Sequence, residues 1–321
     1  MPTPEQMLRD ARRILILCHE SPDGDAIGAL LGMGLIARAL GKDATLACAD
    51  LVPREYRYMP GAGEIVQRPE GDFDLVISLD SSDLRRLGAA YDPAKLGPVP
   101  LLNIDHHITN LRFGAASWVE PSASSTCQIV LQFADRLCVA VTPEIASCLL
   151  SGVVTDTRGF TTPNTDQAAL QAAERLVAAG ADLADISRRL LVLRSFSMAR
   201  LWGQALAQAR LEDGIVWASL PAAMMAESDA SNNGLSGLVA FLSGVEEAKI
   251  AALFKERGDG RIEVSLRSAP GVDVSQVAVA LGGGGHPQAA GFTIPGPLAD
   301  AEQTVLQALR AISREGKRAD V

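Results

Sequence analysis

Long apolar runs are missing from this chain: no stretch of its 321 residues reaches the roughly 18 that a membrane-crossing helix needs. No export signal is expected either, because the start MPTPEQMLRDARRILILC carries charges where a signal peptide places its apolar core. Paired cysteines are missing. Cys18, Cys48, Cys127, Cys138 and Cys148 are odd in number and contain no CxxC spacing. That argues against a disulfide framework and a thiolate zinc site, and leads us to expect free thiols in a reducing cytoplasm. Positive charge is in deficit, with 29 Lys and Arg against 38 Asp and Glu and a net charge of -9. A broad basic face for long duplex nucleic acid is thereby disfavoured, whereas a short anionic substrate on a local cationic site is not. Internal repeats and low-complexity tracts are absent. What remains is an ordinary globular composition, 48% hydrophobic and 21% charged. At about 150 residues per domain, the length predicts two domains.

The first half alternates strand and helix signals. Apolar runs at 13–18, 44–49, 74–79 and 100–104 read as strands, with a helix over about 25–40. Helical patterns follow at about 122–137, 143–154 and 167–179. Such alternation implies βαβ crossovers and a mostly parallel sheet flanked by helices. Residues 182–212 contain no proline and a single glycine, and are read as a helical linker. Strand signals return at 214–220, 248–255 and 261–267, the last two around the turn Arg257-Gly-Asp-Gly. Helices at about 273–281 and 298–314 and a short strand near 290–294 complete a smaller α+β unit. The expected layout is an α/β domain over 1–181, the linker over 182–212 and an α+β domain over 213–321.

Only four histidines occur, and each lies in a polar or glycine-rich cluster at the end of an expected element. His19-Glu-Ser-Pro-Asp23-Gly-Asp25 follows the first strand, Asp80-Ser-Ser-Asp83 the third and Asp105-His106-His107 the fourth. Thr155-Asp156-Thr157 ends an apolar helix. Ligands of open parallel sheets bind beyond the carboxyl ends of the strands, which is where these groups fall. Asp25 alone would pass as a helix cap; a cap does not account for His19 and Asp23. The carboxylates Asp23, Asp25, Asp80, Asp105 and Asp156 would repel one another if crowded without cations. Mixed His and carboxylate donors suit manganese, iron or magnesium, and the carboxylates suffice for two ions with one Asp between them. A metal pair about 3.5–4 Å apart is the usual device for hydrolysing phosphate esters.

In this order, PDGDAIGA, DSSD, DHH and TDT resemble the motifs of the DHH phosphoesterase superfamily. Its members include exonucleases of the RecJ type, manganese pyrophosphatases, cyclic-dinucleotide phosphodiesterases and oligoribonucleases. Further on, Val264-Ser-Leu-Arg267-Ser268 and Gly282-Gly-Gly-Gly285-His286-Pro-Gln-Ala-Ala-Gly291 are similar to the DHH-associated domain. In length and layout the chain is similar to the NrnA-like group of oligoribonucleases and 3′-phosphoadenosine-5′-phosphate phosphatases. The resemblance implies one divalent ion on His19, Asp23 and Asp80 and a second on Asp25, Asp80, His106 and Asp156, with Asp80 shared. Manganese is the expected metal, with magnesium or iron as alternatives. Asp105 is implied to orient a ligand, and His107 to contact the scissile phosphate and help protonate the leaving oxygen. Arg267, Ser268, Gly284, Gly285 and His286 are implied to hold the far end of a short substrate and so to measure its length. One departure stands out. Relatives read DTGxF where this chain has Asp156-Thr157-Arg158-Gly159-Phe160, which disturbs a backbone position suited to glycine and offers Arg158 as a new cation.

The expected function is therefore metal-dependent hydrolysis of phosphate esters in very short nucleotides, with short oligonucleotides or nucleotide phosphates as partners. A linear or cyclic dinucleotide phosphodiesterase and a manganese pyrophosphatase are the enzymatic alternatives, the latter disfavoured by the GGGGHP segment. A non-catalytic nucleotide-binding module is the third reading; it is disfavoured because no ligand position is lost. A dehydrogenase is excluded for want of G-x-G-x-x-G after the first strand.

Overall fold

A computed structural model describes residues 2–226 and 232–319. The chain divides into two units, residues 1–193 and 194–321. In the first unit the elements run α1 (Pro4–Asp10), β1 (Arg13–Cys18), α2 (Gly24–Ala39), β2 (Asp43–Ala47), β3 (Leu75–Leu79), α3 (Pro93–Leu96), β4 (Leu101–Asp105), β5 (Ala116–Val119), α4 (Thr126–Arg136), α5 (Pro143–Asp156), α6 (Gln167–Ala178) and α7 (Leu183–Ser187). The five strands form an all-parallel sheet in the order β2-β1-β3-β4-β5. Continuous apolar strands such as Arg13–Cys18 follow from burial on both faces. Ile14, Ile16 and Cys18 point into the larger core, beneath the helices. Leu15 and Leu17 point into a smaller one with Val76, Leu87 and Leu101.

Helix α2 is buried almost all round, from Gly24 to Ala37. Its glycines allow the close approach of α5. A Cβ on Gly28 would stand 2.5 Å from the Cys148 carbonyl oxygen, and one on Gly152 would stand 2.6 Å from Asp25 Oδ1. Neither methyl fits without displacing a helix. This glycine seam brings the start of α2 and the end of α5 to the same edge of the sheet.

The second unit contains α8 (Phe196–Ala207), β6 (Arg210–Glu212), β7 (Ile215–Leu220), α9 (Ala222–Ala226), α10 (Asn232–Leu242), β8 (Ile250–Glu256), β9 (Arg261–Ser268), α11 (Ser275–Ala280), β10 (Gly284–His286), β11 (Ala289–Pro295) and α12 (Leu298–Ala319). Its mixed sheet has the order β10-β11-β9-β8-β7-β6, parallel only between β7 and β8. Alternate residues feed two cores: Ala252, Phe254 and Val264 on one face, Val216, Ala251 and Leu253 on the other.

One expectation needs correction. Residues 182–212 are not one helical linker. Helix α7 and the π-helical turn Arg188–Val192 belong to the first unit, whereas α8 and β6 belong to the second. Gly284–His286 is a strand, paired antiparallel with Ala289–Gly291.

Candidate metal centre

The sheet order reverses between β1 and β3, and a crevice opens at such a reversal. His19 leaves the end of β1 and Asp80 the end of β3, so both arrive at this point. Asp80 adopts a left-handed backbone (φ 55°), which turns the chain out of the strand. Asp23 is the N-cap of α2, its Oδ1 accepting from the Asp25 and Ala26 N–H groups at 3.1 and 3.0 Å. Asp25 lies one residue inside that helix and is fully buried. Its carboxylate accepts from the Thr126 and Cys127 N–H groups, at 2.6 and 2.9 Å, at the positive end of α4. Asp156 is the last residue of α5, where the helix dipole disfavours a negative charge.

Two triads result, with Asp80 between them. His19 Nε2 is 3.9 Å from Asp23 Oδ1 and 3.4 Å from Asp80 Oδ2. His106 Nε2 is 3.2 Å from Asp156 Oδ2, 3.9 Å from Asp25 Oδ2 and 3.7 Å from Asp80 Oδ1. Asp80 thus turns a different oxygen to each imidazole, and Thr126 Oγ1 donates to its Oδ1 at 2.9 Å. Both histidines are anchored from behind. His19 Nδ1 lies 2.7 Å from the Glu20 carbonyl and His106 Nδ1 lies 3.3 Å from that of Ala123. A carbonyl only accepts, so Nδ1 carries the proton in each ring and Nε2 is the atom presented to the carboxylates. In the neutral ring that would set lone pair against lone pair, unless a proton or a metal ion lies between them. Nitrogen and oxygen donors converge within 4.8 Å of one another in His19-Asp23-Asp80, in Asp25-His106-Asp156 and in Asp80-His106-His107, and the first two sets fit a divalent cation each.

Electrostatics agrees with this geometry. Burial works against a charged His19, but Asp80 and Asp23 outweigh it and push its pKa up to about 9. Burial is likewise outweighed at His106 by Asp156, Asp80 and Asp25, and its pKa rises to about 11. Burial together with Asp80 and Asp156 holds Asp25 well above the carboxylate range, and burial above all pushes Asp156 up to about 6. Asp80 goes the other way: burial is overcome by the three surrounding histidines, which hold it low. Those shifts favour protonated His19 and His106 in the metal-free protein near pH 7.5, and a metal ion on their Nε2 atoms would displace those protons. We predict proton release on loading, and an affinity that strengthens by up to about tenfold per pH unit for each displaced proton as pH rises toward 9. Calorimetric titration with manganese in buffers of different ionisation enthalpy measures this; no proton release would contradict the donor assignment.

His106 and His107 follow directly on β4, and their ring centroids are 4.6 Å apart. Of these two neighbouring imidazoles, Asp105 holds that of His107. Its Oδ1 accepts from His107 Nδ1 at 2.7 Å and from the His106 backbone N–H at 2.8 Å. His107 Nδ1 is also 3.6 Å from Asp80 Oδ1, but with Asp105 as its acceptor this nitrogen carries a proton and is no metal donor. Arg158 does take the left-handed conformation (φ 46°), followed by Gly159 at 70° and Phe160 at 67°. The turn is thus kept with arginine in a position suited to glycine, and the Arg158 side chain is exposed.

In the second unit, His286 pairs with Ala289, Ala289 with Arg267, and Arg267 with Ala251. Residues paired across an antiparallel ladder share a face, so His286 and Arg267 flank the small Ala289 at roughly 9–10 Å, two strand spacings. Gly285 has φ 143°, and a Cβ there would lie 2.5 Å from Ala290 Cα, so packing demands glycine. At Gly284 a Cβ would meet nothing, and packing makes no such demand. Ser268 is committed locally, its hydroxyl donating to the Val272 carbonyl at 2.6 Å.

Comparison with known proteins places these two units. The DHH family N-terminal domain matches residues 13–153 and the DHHA1 domain matches residues 215–315. The bifunctional oligoribonuclease and PAP phosphatase NrnA of Thermus thermophilus is 36% identical over 316 residues, covering 95% of this chain and 91% of that protein. This chain belongs to the DHH family. Among solved structures, an exopolyphosphatase-related protein from Bacteroides fragilis has a TM-score of 0.91 at 26% identity, covering 97% of this DHH protein and 95% of that chain. RecJ of Thermus thermophilus, solved in complex with Mn2+, shares the fold at a TM-score of 0.56 and 14% identity, covering 97% and 53% of the two chains. Among the described residues, no helix of this DHH protein is long and apolar enough to cross a membrane. Sequence reasoning overlooked Thr126 and Asn110. The serine and threonine run before α4 reads as an ordinary helix cap, and nothing in it signals a partner 46 positions away at Asp80.

Proposed function

We propose that this DHH protein is a cytoplasmic metal-dependent hydrolase of phosphate esters in very short nucleotides, acting as an oligoribonuclease and a 3′-phosphoadenosine-5′-phosphate phosphatase. The observation that carries the reading is Asp80, whose two oxygens address two separate His-carboxylate triads. Similarity to NrnA along nearly the whole chain favours it over a pyrophosphatase or a cyclic-dinucleotide enzyme. His19, Asp23 and Asp80 are assigned to one ion, and Asp25, Asp80, His106 and Asp156 to the other, with manganese as the metal. Bound ions of this kind neutralise phosphate charge and lower the pKa of water, so that a nucleophile is available at neutral pH. The protein's own part is positional. Carbonyl-anchored His19 and His106 present Nε2 in a fixed direction, and the N–H groups of Thr126 and Cys127 fix the orientation of the Asp25 carboxyl group. Asp105 holds the His107 ring, from which we assign contact with the scissile phosphate and proton delivery to the leaving oxygen.

Arg267, Ser268, Gly284, Gly285 and His286 are assigned to the non-reacting end of the substrate, and Arg158 to a supplementary contact. Guanidinium suits a terminal phosphate because it binds two oxygens at once. Arg267→Ala is expected to raise KM about 10- to 150-fold and relax the length preference, matching a charge-assisted contact of about 1.5–3 kcal/mol. A phosphodiester without a second phosphate should be slowed far less; equal slowing contradicts the assignment. The proposed function itself is tested by assaying the manganese-loaded protein on RNAs of two to ten nucleotides, 3′-phosphoadenosine-5′-phosphate, pGpG and pyrophosphate. Turnover of the shortest RNAs and of 3′-phosphoadenosine-5′-phosphate is expected. Preferential turnover of pyrophosphate would overturn the reading.

A further inference from the structure

Asn110 holds none of the roles assigned so far, yet its side chain is the most heavily engaged amide near the site. Its Nδ2 points at three acceptors: the Ser81 carbonyl at 3.0 Å, Asn103 Oδ1 at 2.9 Å and Asp105 Oδ2 at 2.6 Å. Its Oδ1 accepts from the Arg112 N–H at 2.6 Å, which fixes which end of the amide is which. The buried Asn103 donates in turn to the same Ser81 carbonyl at 3.1 Å. The Asn110 backbone N–H donates to the His107 carbonyl at 3.1 Å, and Leu111 N–H donates to Ser82 at 2.9 Å. The loop after β4 is thereby tied to the loop after β3, next to Asp80.

Asp105 is fully buried, and its two oxygens divide their work. Oδ1 serves the His106 backbone and the His107 ring, while Oδ2 takes the Asn110 amide. We infer that Asn110 is a positioning residue for His107: through Asp105 it fixes the orientation and tautomer of that imidazole. An amide suits the place because it donates toward a ring of acceptors while accepting from one backbone N–H. A carboxylate of the same shape would set its oxygens against Ser81, Asn103 and Asp105. The inference rests on the proposed contact between His107 and the reacting phosphate.

The test is a mutant cycle on the manganese-loaded full chain, with a dinucleotide RNA as substrate. Asn110→Ala and Asn110→Asp are expected to lower kcat about 10- to 100-fold, with KM changed less than about twofold and metal content unchanged. In a His107→Ala background, Asn110→Ala should lower kcat by less than about twofold, because the group it positions is gone. In the magnesium-loaded chain, where no paramagnetic ion broadens nearby resonances, the His107 Nδ1 proton, identified in the NMR spectrum by its loss in His107→Ala, should shift or broaden in both Asn110 variants. Asn110→Ser, smaller but still a donor, is measured alongside with circular dichroism, so that a poorly folded variant does not decide the result. Equal losses in the two backgrounds would overturn the inference. If His107→Ala itself keeps full kcat, the role given to His107 fails instead, and an unshifted Nδ1 resonance in the Asn110 variants then overturns the positioning role as well.

Discussion

Replacing Asp80 by alanine is expected to abolish turnover and to reduce bound manganese below two ions per chain. Asp80 faces His19 with one oxygen and His106 with the other, so its loss uncovers charge in both triads at once. Each ion would lose a donor, and the two cations would lose the anion between them. Lost transition-state stabilisation of about 4 kcal/mol or more corresponds to a fall of about 10³-fold or more in kcat. Asp80→Asn keeps the side-chain shape and an oxygen for the Thr126 hydroxyl, and so separates metal loss from packing loss. It should fold like the parent and still lose metal. Full metal content with normal activity in Asp80→Ala would remove the shared-ligand site.

The second large effect separates two neighbouring histidines. His107→Ala is expected to keep both ions and near-normal folding while kcat falls about 10²- to 10⁴-fold. His106→Ala is expected to lose or weaken one ion, because its Nε2 is the donor nearest Asp156. The difference follows from what lies behind each ring. His106 has its Nδ1 against a backbone carbonyl, which directs Nε2 into the carboxylates. His107 has its Nδ1 against Asp105, which commits that nitrogen to a proton. Metal stoichiometry measured beside kcat in the two variants decides the matter; metal loss in His107→Ala with retention in His106→Ala reverses the assignment.

The parallel sheet was legible because its strands are apolar on both faces, so Arg13–Cys18, Leu75–Leu79 and Leu101–Asp105 read directly. The clustering of His19, Asp80 and His106 was legible for the same reason, since the ends of adjacent parallel strands must meet. Elements with weaker periodicity were not. Strand β5 is half-buried throughout, and its four residues carry no alternation. Strand β10 is hidden by its glycines, because pairing with Ala289–Gly291 leaves no mark on a three-residue stretch. The division of 182–212 was marked only by Ser195 and Ser197, the first of which caps α8, within a stretch of otherwise helix-forming residues. The partner of Asp105 was out of reach for another reason: His106 and His107 are adjacent, and only the turn at the end of β4 decides which ring the carboxylate meets.

Gly152 touches no nucleotide and donates nothing to a metal, yet Cys127 Sγ and Asp25 Oδ1 crowd the space its missing side chain leaves open, at 2.3 and 2.6 Å from where a Cβ would stand. Substitution by alanine forces either the helices apart, at about 1–3 kcal/mol for the overpacking, or the Cys127 thiol and the Asp25 carboxylate out of place. The second outcome yields a protein that is abundant and folded but inert. In a genetic screen for null alleles, this seam would then score alongside the histidines, and a survey of substrate contacts alone would pass it by.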